Sequence, residues 1–310
     1  MLTGKRAFTV PLVDTFDLDS AVLNRRFEIS VALPFSYRAR PEHQYPVLVV
    51  TDATLLFATT VEATRLMSLG QEVEDLILVG VGCPWSEGPL AFGRRRFYEF
   101  SPSANSTITG PFAAITRDLM AKAGVDREPM GGAPKYLQML VQEVLPAVTR
   151  EYRADLAAPG LIGESAGGTF ALYALFTETS PFRRYLIGSP ATAQCDNEVF
   201  KLEERYAAGH QDLDAKVFLA AGTQEMMSPF LEGGGIASGV CRMSGLLAMR
   251  RYPSLSLTSH MFNDESHLSV APGFIARGLR VVYGTGRMYG EMPKQAPPVP
   301  HALPLAESRR

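Results

Sequence analysis

The stretch GLIGESAGGTFALYALF, residues 160–176, decides the fold. It sets Gly163-x-Ser165-x-Gly167, followed by Gly168, between a short apolar run and an apolar helical run. Three fixed positions of this kind arise by chance in roughly one chain in ten of this length. The surroundings therefore decide whether Ser165 is a nucleophile or an ordinary serine in a Gly-rich turn. They supply a strand (LIG), a turn (ESA) and a helix (GGTFALYALF) in the order a nucleophile elbow needs. Gly163 and Gly167 flank the serine where a Cβ would collide with the neighbouring strand or helix. The helix N-terminus then lies beneath Ser165, with unpaired N–H groups and a dipole that favour negative charge. That suits a tetrahedral oxyanion, and the N–H of Ala166 is its natural first donor.

Working outward, strands alternate with helices. RFEISVAL (26–33), PVLVVTD (46–52) and DLILVGVG (75–82) read as strands, with a helix from about Leu55 to Ser68. A long segment, 83–133, reads as irregular and contains Trp85, Phe92, Phe97, Tyr98 and Phe100. Loops of that length are usually functional or disordered, and this one is too aromatic for a solvated linker. KYLQMLVQEVLPAVTREY (135–152) has helical spacing, with a kink expected at Pro146. After the elbow come RRYLIGSP, AKVFLAAGTQE and LSLTSHMF as strands, and DNEVFKLEERYAA, VCRMSGLLAMRRY and SVAPGFIARGLRVVYG as helices. The alternation predicts an α/β fold with a mostly parallel central sheet covered by helices on both faces. One domain over residues 1–284 is expected, with 83–133 forming a binding wall and a Pro-rich, extended tail over 285–310.

Bulk properties narrow the function. The 310 residues are 46% hydrophobic and 20% charged, with a net charge of −2. Nothing favours a nucleic acid or an anionic membrane as partner. The three cysteines, Cys83, Cys195 and Cys241, are far apart and fit neither a disulfide framework nor a metal motif. The N-terminal stretch lacks an unbroken apolar run, and no stretch has the length of a membrane span, so a cytoplasmic protein is expected.

A serine nucleophile needs a base and an orienting acid. The five histidines are His43, His210, His260, His267 and His301. His210 ends a polar helix and reads as a solvated residue. His260 lies inside the last strand. His267 lies just past that strand's end, where parallel sheets put their chemistry, and is the expected base. The acid should end the preceding strand, where KVFLAAGTQE offers Glu225. Asp196 reads as a helix-start residue, and Asp264 and Glu265 as shapers of the His267 loop. A second oxyanion donor should follow VLVVTD, at the N–H of Ala53 or Thr54.

At this point the residues resemble the putative-esterase family of α/β-hydrolases, from about Arg26 to Gly284. That family includes enterochelin and salmochelin esterases, esterase D-like hydrolases, feruloyl esterases and mycolyltransferases. YPVLVVTDA is similar to the family's YPVLYLLDG strand, with Ala53 for glycine. FGRRRFYEFSPS resembles RRxxDYTP, and YLQMLVQEVLPAVTREYRAD resembles FLxFLxxELIPxIExxYR. LIGESAGGTFALYALF resembles IxGHSLGGLFALYALF, with Glu164 where histidine is frequent. LIGSPA resembles xAxSPSLWW without the tryptophans, and AAGTQE and NDESHLSVAPGFIARGLRVVYG match the acid and histidine segments.

The resemblance implies Ser165 as nucleophile, His267 as base, Glu225 at the acid position, and Ala166 and Thr54 as oxyanion donors. In siderophore esterases an arginine of the RR segment helps hold the catecholate, so Arg94, Arg95 and Arg96 become candidates for an anionic or phenolic group. Structural ion pairs are the competing reading of these arginines. Trp85 and Glu164 join Arg95 and Arg96 as substrate-binding candidates. The expectation is a serine esterase that acts on a small ester or lactone, siderophore-like or aromatic, without metal or organic cofactor. A mycolyltransferase-type acyltransferase, a serine peptidase and a non-catalytic binding protein on the same scaffold are the alternatives.

Overall fold

The computed structural model describes residues 4, 7–88, 91–104, 118, 121 and 130–290. An eight-stranded sheet runs in the order β1-β2-β4-β3-β5-β6-β7-β8. Its strands are β1 (Val13–Ser20), β2 (Arg25–Ala32), β3 (Tyr45–Val50), β4 (Ile77–Gly82), β5 (Ala154–Glu164), β6 (Arg184–Gly188), β7 (Ala215–Gly222) and β8 (Leu255–Phe262). Strands β3 to β8 are parallel, whereas β2 runs antiparallel to both β1 and β4. The mostly parallel α/β sheet matches the sequence reading. Strand β1 escaped it, because VDTFDLDS is an edge strand that buries little and carries three aspartates.

The central strands are apolar on both faces, so they read as unbroken hydrophobic runs rather than as alternating patterns. Val47 and Val49 face one core, and Leu48 and Val50 the other. Leu161, Ile187 and Leu219 repeat the first face, while Ile162, Leu186 and Phe218 repeat the second. Helices α1 (Ala53–Leu69) and α8 (Val270–Tyr283) cover the second core through Leu56, Val61, Phe274 and Leu279. The first core is covered by α3 (within 133–151), α4 (Ala166–Leu175), α5 (Gln194–Gly209) and α7 (Ala237–Arg250), with the short α6 (Pro229–Gly233) just before α7. Among the described residues no helix is long and apolar enough to cross a membrane.

Segment 83–133 departs from the irregular expectation. A short 3-10 turn spans Trp85–Glu87, and a helix, α2, spans Ala91–Glu99. Arg95 and Glu99 pair one turn apart along α2, a spacing that supports a helix despite Gly93. Residues 89–90, 105–117, 119–120 and 122–129 of the segment lie outside the described residues. Pro146 does not end α3. The helix runs through Ala133–Met139, loosens into a π-turn over Leu140–Val144, and resumes at Leu145–Glu151. The wider turn accommodates the proline ring and its missing N–H. At the C-terminal side, Thr285 donates its N–H to the Glu72 carbonyl, and Arg287 bonds the Gln71 side chain. The start of the expected tail is thus held against the end of α1, and residues 291–310 lie outside the described residues.

Candidate active site

The site is assembled at the C-terminal ends of β3, β5, β7 and β8. Strand β5 ends at Glu164 and α4 begins at Ala166, so Ser165 alone makes the turn. Its backbone has φ 58 and ψ −119, a strained conformation for a residue with a Cβ. The surroundings hold it there. The Ser165 N–H donates to Gly188 O at 2.9 Å, and its carbonyl accepts from Thr169 N at 3.0 Å. A Cβ on Gly163 would lie 2.1 Å from the Gly167 carbonyl oxygen, and one on Gly167 would lie 2.8 Å from Thr51 Oγ1. Both glycines therefore let the helix start pack onto the strand ends.

His267 sits between β8 and α8. Its Nε2 lies 3.0 Å from Ser165 Oγ, and its Nδ1 lies 2.5 Å from Glu225 Oε1. An ionised carboxylate only accepts, so the ring proton belongs on Nδ1 and Nε2 is free to accept from the serine. Glu225 lies in the 3-10 turn after β7, with 0% of its surface exposed. Its Oε2 accepts from Gly222 N at 2.7 Å and from Ser189 Oγ at 3.0 Å. The carboxylate is thereby fixed, and its burial is offset by three donors. The two loops are tied together: Gln224 N donates to Glu265 O at 3.1 Å, and Asp264 N donates to Thr223 Oγ1 at 2.9 Å. Gly222 permits this approach, since a Cβ there would lie 2.2 Å from the Glu265 carbonyl oxygen.

The competing residues lie elsewhere. His260 is on edge strand β8 with its ring against Phe262. His210 is half-buried rather than solvated, stacked on Tyr206, with Nδ1 on the Tyr206 carbonyl at 2.9 Å. Asp196 has a left-handed backbone in the kink that opens α5, and pairs with Lys201. Glu265 bonds Ser269 across the start of α8.

Arg95 requires a correction. It is 2% exposed, with its guanidinium on Glu87 at 2.8 Å and on Glu99 at 3.0 Å, over the Phe27 ring. That is a structural ion pair inside the protein, not an arm toward a ligand. Arg94 is exposed and Phe97 half-buried. Trp85 is 68% exposed, so core packing does not account for it. Arg96 lies by the elbow. Its Nη2 donates to Asp52 Oδ2 at 2.7 Å and to the Glu164 carbonyl at 3.3 Å. Glu164 is 7% exposed and is pushed up to about 7 by burial, against the pull of His267 and Arg96. Burial also raises Asp52, again opposed by Arg96.

Ala166 and Thr54 are first and second residues of α4 and α1, so their N–H groups lack intrahelical acceptors. Burial pushes the Cys83 thiol up, against the pull of Arg95 and the Thr54 hydroxyl. Sequence reasoning missed Ser189 and Asp52, two buried polar residues just beyond the ends of β6 and β3. The strand-end rule that located Glu225 and His267 would have found them. Among the described residues no group of three or more His, Cys, Asp or Glu could hold a metal ion.

Known proteins resemble this chain in sequence and in fold. A family model described as "Putative esterase" matches residues 113–238. The ferri-bacillibactin esterase BesA of Bacillus subtilis (strain 168) is 25% identical over 279 residues, covering 88% of this chain and 90% of its own length. The siderophore triacetylfusarinine C esterase of Aspergillus fumigatus is 30% identical over 47% of this chain and 44% of its own length. Among solved structures, the BES protein from Bacillus cereus superposes with a TM-score of 0.74 at 25% identity, covering 91% of this chain and 99% of that one. The elbow at Ser165, the parallel sheet behind it and these relatives lead to one conclusion: the chain has an α/β-hydrolase fold and resembles, over residues 113–238, the family described as "Putative esterase".

Proposed function

We propose that the protein hydrolyses a small carboxylic ester or lactone of siderophore type, with Ser165, His267 and Glu225 as its catalytic residues. The observation that carries this reading is the bridge made by His267, 3.0 Å from Ser165 Oγ on one side and 2.5 Å from Glu225 Oε1 on the other. His267 Nε2 takes the Ser165 proton as Oγ attacks the ester carbonyl. The Ala166 and Thr54 N–H groups receive the oxyanion, and Glu225 stabilises the imidazolium that forms. His267 then gives its proton to the leaving alcohol and afterwards activates water, which releases the acid and restores Ser165. The siderophore assignment is supported by the relatives, a ferri-bacillibactin esterase and a triacetylfusarinine C esterase. Within the arginine segment Arg95 pairs with Glu87 and Glu99 and Arg96 with Asp52, so the exposed Arg94 is the one suited to an anionic or phenolic group.

Intact-mass spectrometry after fluorophosphonate treatment tests the nucleophile. A single adduct on the wild type, absent from Ser165→Ala, is expected. His267→Ala should fold and turn over no ester. Ferri-bacillibactin and a p-nitrophenyl ester panel then separate siderophore from general ester hydrolysis. A folded wild type that takes no adduct and cleaves none of these esters rejects the proposal in favour of a binding protein.

A further inference from the structure

The Thr54 and Ala166 N–H groups, the proposed oxyanion donors, belong to different elements. Thr54 is the second residue of α1, which follows β3, and Ala166 is the first residue of α4, which follows β5. Strands β3 and β5 are parallel neighbours, with Val50 opposite Ile162, so the two turns lie side by side. One oxygen has to fit between the donors. Each N–H must therefore be unoccupied, and the gap between them must be fixed.

Asp52 bears on the first condition. It immediately precedes α1, where an aspartate ordinarily turns its carboxylate onto the N–H of the second or third helical residue. The second helical residue is Thr54, so an ordinary cap would occupy the donor. The carboxylate lies elsewhere. Asp52 has φ 50 and ψ 43, a left-handed backbone, and makes no side-chain bond to α1. Its backbone carbonyl accepts from Leu55 and Leu56 instead. The carboxylate reaches across to α4, where a Cβ on Gly167 would lie 3.3 Å from Asp52 Oδ2.

Arg96 holds it there. Its Nη2 donates to Asp52 Oδ2 at 2.7 Å and to the carbonyl of Glu164, the residue before Ser165, at 3.3 Å. One guanidinium thus ties the turn that carries Thr54 to the turn that carries Ala166. Asp52 is buried and Arg96 half-buried, so water competes little for this charge-assisted bond. Arg95, paired with Glu87 and Glu99, anchors α2, the helix that delivers Arg96.

We propose that Arg96 is a positioning residue for the oxyanion hole: it holds the Asp52 carboxylate off α1, which keeps the Thr54 N–H free, and it links the Thr54 and Ala166 turns. The inference rests on the reading of Ser165 as nucleophile and Thr54 as donor. Arg96 acts through Asp52 and the Glu164 carbonyl, not on the substrate. Once Arg96 is removed, the carboxylate swings back onto its own helix and closes the hole by ordinary capping.

A second substitution should therefore reverse the first. Arg96→Met should lose about a hundredfold in kcat on p-nitrophenyl butyrate, the loss expected for one oxyanion donor, with KM changed by less than about threefold. Adding Asp52→Gly removes the carboxylate and suits the left-handed backbone, so the double variant should regain about tenfold or more in kcat. Arg96→Lys keeps the charge but not the fork, and should lie between wild type and Arg96→Met. An unchanged kcat in Arg96→Met, a loss carried by KM, or a double variant no faster than Arg96→Met overturns the proposal. If Arg96→Met does not fold, the double variant, which strands no buried Asp52 charge, decides: kcat within about tenfold of wild type supports the role, and a larger loss overturns it. Fluorophosphonate labelling of selectively threonine-labelled protein, read by amide NMR, reports on the parent reading. The wild-type adduct should move the Thr54 N–H resonance downfield. A wild type that takes no adduct, or an adduct that leaves Thr54 unmoved, rejects Ser165 or Thr54 and the inference with them.

Discussion

Replacing Glu164 with glutamine should stabilise the protein, and more so at alkaline than at acid pH. The carboxyl is lifted from its ordinary 4.5 to about 7, mainly because burial disfavours its charge. The neutral form therefore contributes stability that is fully present below about pH 4.5 and is lost as pH rises through about 7. A rise of that size corresponds to about 3 kcal/mol at pH 8.5, since each unit is worth about 1.4 kcal/mol. At pH 5 most of the penalty is absent, and about 1 kcal/mol remains. Glutamine does not titrate, so any packing or hydrogen-bonding cost it brings is the same at both pH values and cancels in the comparison. Urea unfolding of wild type and Glu164→Gln at pH 5 and pH 8.5 measures the difference directly. The variant should gain about 2 kcal/mol more, relative to wild type, at the higher pH. An equal difference at the two pH values, or a larger gain at pH 5, would refute a buried, charge-averse Glu164. A residue kept at this cost beside a nucleophile fits the trade of stability for activity.

Three further outcomes follow from the geometry. Glu225→Gln should fold but lose roughly a hundredfold or more in kcat, because the amide cannot both accept from Gly222 and Ser189 and hold the Nδ1 proton of His267 as a carboxylate does; steady-state kinetics on a p-nitrophenyl ester reads this. Gly222→Ala places a Cβ 2.2 Å from the Glu265 carbonyl oxygen and should push the His267 loop away, costing about 1–3 kcal/mol in urea unfolding and about a hundredfold in turnover. Retained turnover would show that the loop adapts. Arg95→Met leaves the buried Glu99 carboxylate, which burial already raises, with only the longer 3.4 Å pair to Arg25, and should cost about 3 kcal/mol in urea unfolding. An unchanged unfolding midpoint would return Arg95 to the list of free ligand arginines.

The elbow and the order of strands were legible in the chain because both are local. The Gly163-x-Ser165-x-Gly167 turn and the apolar runs of β3 to β7 are written in consecutive residues, and chain order alone pointed to Glu225 and His267. Edge strand β1 and helix α2 were not legible. Their residues are polar or charged, and what makes them strand and helix is pairing with β2 and the Arg95–Glu99 ion pair. Only the tertiary structure decided which arginine is committed and which lies by the elbow. Arg95 and Arg96 are adjacent and chemically identical, but helical rotation turns one toward Glu87 and Glu99 and the other toward Asp52. The same holds for Glu164. The sequence by itself determined a carboxyl beside a nucleophile. Its burial, and the field of Asp52, Arg96, Glu225 and His267 around it, exist only once four separate stretches of chain converge. Electrostatic environment depends on distances across the fold, which no short pattern of residues encodes.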